Sequence, residues 1–220
     1  MEDVISAEEE AEIAAAWVQA LGSEYPEDRQ EAVQVLVQWV CEAFGDEGAA
    51  LGALVRDQGG VRLLLQMWGD ANAGVQEMAL LVLGNLCSDS VDAKSSLTKA
   101  ELLKAPLAAK TLLACMKSKE QGVMVMACAA LQNLCHDVAW AHAVVAANYL
   151  PRLEELVRHT DKRVVQYVAG ALLNMHAQCA HLLDPQATIA ACAPHAPRPP
   201  CPLTLGAACA TRRRASSWRG

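Results

Sequence analysis

One phenylalanine and three tyrosines in 220 residues leave little from which to build a β-sheet. Strands draw on aromatic and β-branched side chains in alternation, and no long alternating run is present. Also lacking is any stretch of 18 apolar residues without a charge or a helix breaker, which argues against a membrane-spanning helix. The opening residues, MEDVISAEEE, are acidic where a secretory signal would be basic, so export by that route is not expected. There is no glycine-rich phosphate loop and no pair of carboxylates set for acid–base work. The basic residues form no stripe that would mark a nucleic-acid groove. Nine cysteines are present, but their spacing is not that of a disulfide framework. Cys41, Cys87, Cys115, Cys128 and Cys135 recur at helical core positions, where a thiol behaves as a small apolar group. A reducing compartment, cytoplasm or nucleus, is the one this usage fits.

What the chain does have is a repeat. RQEAVQVLVQWVC (29–41), VQEMALLVLGNLC (75–87), VMVMACAALQNLC (123–135) and VVQYVAGALLNMH (164–176) align on Trp39, Asn85, Asn133 and Asn174, which lie 46, 48 and 41 residues apart. A period of this length with helical apolar spacing predicts a stack of helical units. Within each long helix one stripe faces the core: Val75, Ala79, Leu80, Leu83 and Leu86 in the second copy, and Val123, Ala127, Cys128, Leu131 and Leu134 in the third. A shorter helix precedes each long one, its apolar residues at three-residue steps: Val61, Leu64, Met67; Ala109, Leu112, Cys115; Leu150, Leu153, Leu156. Breakers open these short helices at Gly59–Gly60, at Ala105–Pro106, and at Asn148 with Pro151 close behind.

The Gly59–Gly60–Val61 turn and the Val-Gln-Glu…Ala…Asn-Leu run of residues 75–86 resemble the armadillo repeat, over roughly residues 24–180. HEAT repeats are the nearest rival, and the Gly-Gly turn with the Asn near the end of the last helix favours armadillo. The resemblance implies an all-α fold, a right-handed α-solenoid of about four units, each with a short first helix and two longer ones, the last lining a concave groove. The units are drawn at roughly 24–55, 56–101, 102–147 and 148–180 within a repeat domain of 24–183, the first of them degenerate because Trp39 stands where the others have Asn. Residues 1–23 are expected to hold a capping helix, with Ser6 and Glu9 as its capping box and Ile13, Trp17 and Leu21 packed on the first unit. Gly45 and Gly48 are read as breaking the first unit from the second. Residues 184–220, rich in proline and without helical period, read as a disordered tail. Either this tail covers the last flank, or another subunit does, or the chain is part of a longer array.

The candidate site is the face of the long helices carrying the asparagines. Positions four and seven before each Asn share its side of a 3.6-residue helix. They give Met78, Leu81 and Asn85, then Met126, Ala129 and Asn133, then Tyr167, Gly170 and Asn174, with Trp39 in the first copy. An amide offers donors and an acceptor to the main chain of an extended peptide, each bond contributing about 0.5–1.5 kcal/mol. Equally, the Asn can tie its helix end to the adjoining loop. Armadillo proteins that carry nuclear-localisation signals place Trp four residues before each groove Asn. Here Val35, Leu81, Ala129 and Gly170 stand there, so a Lys-clamping indole ladder is absent. The Lys- and Arg-lined groove of the β-catenin type is absent as well.

Residues 1–60 hold 14 acidic and 2 basic side chains, which suits either a solvated face or attraction of a basic partner. Cys135–His136 is the most tempting catalytic pair, yet adjacent helical residues point about 100° apart. His136, Asp137 and His142, the set His176, Cys179 and His181, and Cys192, His195, Cys201 and Cys209 in the tail lack the spacing of zinc sites. No metal or cofactor is expected. The reading is a non-enzymatic adaptor holding an extended segment of a partner protein, with no nucleic-acid or membrane partner. The alternative is a regulator of a chaperone or motor nucleotide cycle, acting through its convex or end surface.

Overall fold

The computed structural model describes residues 7–179, so the cap at Ser6 and the tail beyond 183 lie outside the described residues. Within them are eleven helices and no strand: α1 (Ala7–Ala20), α2 (Pro26–Glu42), α3 (Asp46–Asp57), α4 (Gly60–Met67), α5 (Ala73–Leu86), α6 (Ser95–Lys104), α7 (Ala108–Cys115), α8 (Gln121–Leu134), α9 (Val138–Ala146), α10 (Leu150–Leu156) and α11 (Lys162–Cys179). The repeated sequence forms α2, α5, α8 and α11, which pack side by side in chain order. Two shorter helices connect each to the next. The first of each connecting pair has 12, 10 and 9 residues, and the second only 8, 8 and 7. The first two helices of a unit are therefore both short, rather than the first alone. The lines drawn at 55/56 and 101/102 fall inside α3 and α6.

Local chemistry sets the helix ends. The Asn72 side chain accepts the Gly74 and Val75 N–H groups at the start of α5, and Asp137 accepts those of Ala139 and Trp140 at the start of α9. Asp161 accepts the Arg163 N–H at 2.8 Å at the start of α11. Proline opens α2 and α10, where a missing N–H costs nothing. The turn into the short helix needs a left-handed residue, supplied by Gly59 (φ 70°) and Asn148 (φ 58°), each 26 residues before its Asn. The matching residue in the third unit is Leu107, which follows Pro106 and takes φ −105° instead.

The core follows the predicted stripes. Val75, Ala79, Leu80, Leu83 and Leu86 are buried, as are Val123, Ala127, Cys128, Leu131 and Leu134. In the third unit's short helix the buried register is Ala108, Leu112, Cys115, with Ala109 only half-buried.

Two expectations near the start are corrected. Ile13 is 48% exposed, and the inward face of α1 is Ala14 and Val18, with buried Leu21 just past its end. That rotation seats Val18 beside Gly60, where a Cβ would come within 2.6 Å of its Cγ1. Gly45, at φ 60°, does break the chain, but Gly48 lies inside α3 and is buried. A Cβ on Gly48 would stand 1.8 Å from the Val91 carbonyl oxygen, and one on Gly52 would stand 2.1 Å from Asp92 Oδ2. Those two glycines, one turn apart, let the loop after α5 lie against α3.

Polar groups join one unit to the next. Asp92 is fully buried and receives Arg56 Nη1 at 2.5 Å, while the same nitrogen donates to Thr98 Oγ1 at 2.8 Å. Trp140 Nε1 donates to the Lys99 carbonyl at 2.8 Å, and the Tyr149 hydroxyl donates to the Ala109 carbonyl. Arg152 donates to the Met116 carbonyl at 2.8 Å. Taking a unit as two short helices and the long helix that follows, each of these pairs spans the junction between consecutive units.

Gly48→Ala tests the loop contact. The added methyl meets main chain rather than a yielding side chain, so a loss of about 1–3 kcal/mol is expected in urea unfolding followed by circular dichroism. Ala49→Gly, which removes a methyl from the neighbouring half-buried position, should cost only about 0.5–1 kcal/mol.

Candidate partner-binding surface

The end of α5 leaves a carbonyl unused. Cys87 N–H bonds Leu83 O and Ser88 N–H bonds Asn85 O, skipping Gly84 O. Likewise Cys135 N–H bonds Leu131 O and His136 N–H bonds Asn133 O, skipping Gln132 O. Helix ends always strand such acceptors. Here the Asn of the following unit reaches back and fills them. Asn133 Nδ2 donates to Gly84 O at 2.8 Å, and Asn174 Nδ2 donates to Gln132 O at 2.8 Å. Gln178 Nε2 adds a parallel bond to His136 O at 3.2 Å. The asparagines thus cap a neighbouring helix, a role distinct from both the peptide contact and the local loop tie considered above.

This bond needs close helix approach, and small residues permit it. A Cβ on Gly170 would lie 2.6–2.9 Å from the Gln132 side-chain amide, and one on Gly122 would lie 2.0 Å from a Glu77 carboxylate oxygen. Side chains of one long helix therefore lie across the glycine of the next. The result is burial: Asn85 and Leu81 are 0% exposed, Ala129 1%, Met126 4% and Asn133 4%, with Gly170 buried as well. A partner touching this face in its present form meets Trp39, Met78, Tyr167 and Asn174, which are half-buried, and not the other six predicted residues.

Sequence reasoning did not single out Glu77 and Gln132, also half-buried on this face, although a long polar residue opposite a helix-interior glycine was a usable signal. On α2 the same face is open: Asp28, Glu31, Gln38 and Glu42 are exposed at steps of three, seven and four, with half-buried Val35 among them. At the other end Arg163 is held by Asp161 Oδ2 at 2.8 Å, and Gln121 Nε2 donates to the same oxygen at 2.7 Å. Hydrogen bonding from Arg163 is the main influence holding the Asp161 carboxyl well below the usual range. Burial pushes Glu77 above its ordinary value, partly offset by the Arg163 charge.

The tempting nucleophile is sealed. Cys135 is 0% exposed and burial drives its thiol pKa far upward, so the reactive thiolate is suppressed. Burial likewise pushes Cys87 and Cys128 up to about 12 and Cys115 to about 11. Among the described residues no three His, Cys, Asp or Glu side chains gather as a metal site, and no helix is long and apolar enough to cross a membrane.

The family model for the armadillo/beta-catenin-like repeat matches residues 53–88, the end of α3 through α5. A designed armadillo repeat protein superposes with a TM-score of 0.67 at 19% identity, over 81% of this chain and 70% of its own. The fold is of the armadillo type. A second designed armadillo repeat protein, solved in complex with the peptide (KR)4, gives a TM-score of 0.67 at 17% identity, over 83% of this chain and 73% of its own. An engineered protein gives 0.68 at 23% identity over 81% of this chain, which spans only 40% of that structure's length. No curated protein sequence matches the chain.

Two outcomes follow from this armadillo surface. Asn133→Ala removes a buried bond and strands Gly84 O, so unfolding free energy should drop by about 1–3 kcal/mol, with a smaller drop for the less buried Asn174→Ala. Glu77→Gln tests the shifted carboxyl. A raised folded pKa means that folding takes up protons, so the ionised carboxylate weighs against the fold as pH rises past its unfolded value. The stability of Glu77→Gln relative to the parent should therefore increase between pH 4 and pH 7, read as the difference between paired urea melts.

Proposed function

We propose that the protein is a non-enzymatic interaction module that holds an extended segment of a partner protein along the face of α2, α5, α8 and α11. The observation that carries this reading is how the long helices are finished. The carbonyls stranded at the ends of α5 and α8 are closed by Asn133 and Asn174, so in these helices the face offers a partner side chains; along the whole face these are Trp39, Met78, Glu77, Gln132, Tyr167 and Asn174. Apolar and amide groups stacked along successive helices suit a strand-like ligand better than a compact one. Peptide binding by a designed armadillo repeat protein of similar fold supports it.

The charge on α2 gives the ligand a direction. Asp28, Glu31 and Glu42 project from one open face, and Glu77 continues it on α5. A basic stretch of the partner lies over this end, and its apolar residues lie toward Trp39, Met78 and Tyr167. Surface charges of this kind act mainly on encounter rate and orientation, and their effect is screened by salt. Trp39 supplies the largest aromatic contact at the acidic end, next to those carboxylates, where a Lys or Arg can lie over the indole.

The test is fluorescence anisotropy of the labelled peptide (KR)4 with the full chain. Binding that weakens about tenfold in Glu31→Lys/Glu42→Lys, with an unchanged melting curve, is expected. Trp39→Ala should weaken it as well. Affinity indifferent to both variants would remove the face from consideration.

A further inference from the structure

Six of the chain's seven lysines fall between residues 94 and 119, a span holding one acidic residue, Glu101. The span is the α6–α7 hairpin with its flanking loops. Burial divides the hairpin cleanly. Leu102, Ala108, Leu112 and Cys115 are 0–2% exposed and form its inward side. On the outward side Leu97, Ala100 and Lys104 follow one another along α6, at the three- and four-residue steps of a single helix face. Leu107 stands at the bend and Lys110 and Ala114 continue on α7, again four residues apart. Leu97 is 54% exposed and Leu107 62%, two of the six exposed large hydrophobic residues among those described. No ion pair among the described residues engages Lys94, Lys104 or Lys110.

The matching helices of the neighbouring units are different. The α3–α4 pair exposes Asp46, Glu47 and Asp57 against one cation, Arg62, and the α9–α10 pair exposes Glu154 and Glu155, the latter paired with Arg152. The basic surface is therefore one unit wide, with acidic groups on the helices to either side. Two small exposed residues, Ala100 between Leu97 and Lys104 and Ala114 one turn beyond Lys110, allow a partner backbone to come close.

We propose that the outward side of α6–α7 is a second docking surface, separate from the face of the long helices, for an acidic amphipathic helix of a partner protein. Its carboxylates pair with Lys94, Lys104 and Lys110, and its apolar side covers Leu97 and Leu107. The width of the patch selects a single helix. A lipid bilayer is a broad anionic plane that would also press against the acidic groups of the two adjoining units, and a nucleic acid would gain nothing from the leucines. Charge brings the helix to the correct unit, and the two leucines supply the apolar burial that retains it.

The experiment uses the full chain and a labelled helical probe of about 18 residues, long enough to hold a helix, with Leu on one face and Glu on the other. Anisotropy should report binding that falls with salt. Lys104→Glu/Lys110→Glu should weaken it about tenfold and Leu97→Ser/Leu107→Ser about threefold, with melting curves unchanged because all four side chains are exposed. Glu31→Lys/Glu42→Lys should leave it unaltered, which separates this surface from the long-helix face. Three results would overturn the proposal: a probe indifferent to both hairpin variants, a probe sensitive to charge but not to the leucines, or phosphatidylserine vesicles or an oligo-dT strand displacing the probe through the same lysines.

Discussion

A side-chain amide on one long helix closes a backbone carbonyl on the helix before it, and much of the architecture answers to that contact. The amide of Asn133 reaches Gly84 O, and that of Asn174 reaches Gln132 O, only because α5, α8 and α11 run close together. Close approach in turn requires that something be missing, and Gly122 and Gly170 supply the space. Once the helices are that near, their facing side chains are enclosed, which is why nearly all of α8 is inaccessible. What stays accessible is then the side chains at the margins of the layer and the open first helix, α2.

The short helices do a different job. They carry cross-unit polar links with little freedom: Arg56 to Asp92, Trp140 to the Lys99 carbonyl, Arg152 to the Met116 carbonyl. Two of these end on main-chain oxygens, so they tie a side chain to the neighbouring unit's backbone and not merely to another side chain. A buried charge such as Asp92 costs several kcal/mol to desolvate, and loss of its partner would leave that cost unopposed. Apolar stripes hold each unit together, whereas the directional bonds set how one unit is turned against the next.

Periodicity revealed the repeated helices because it is a property of one helix at a time. The residues Val75 to Leu86 and Val123 to Leu134 show their buried side in sequence alone, and the structure agrees. The exposure of Leu81 or Ala129 is another matter, since it depends on the spacing between two helices, set by Gly122 and Gly170, each 41 positions away in the chain. Asn133 was visible as special from its register, but its acceptor, a carbonyl 49 residues earlier, has no side-chain signature. Ile13 misled for a related reason: the helix is turned by its contact with a distant residue, which seats Val18 against Gly60 and leaves Ile13 48% exposed. Gly48 resembled a breaker because glycine serves both to end helices and to admit a neighbour, and residue identity does not distinguish the two.

The backward reach of the amide also gives the array a polarity. Donor and acceptor sit in consecutive units, so neither belongs to a unit taken alone, and each junction is a matched plug and socket. Transplanting a unit into another scaffold would break two such fittings at once, whereas cutting between Leu134 and Val138 keeps the Gly84–Asn133 pair whole and, of the two amide joints, severs the one to Asn174. Chimeras assembled from these modules are governed by which joints they preserve rather than by the identity of the pieces.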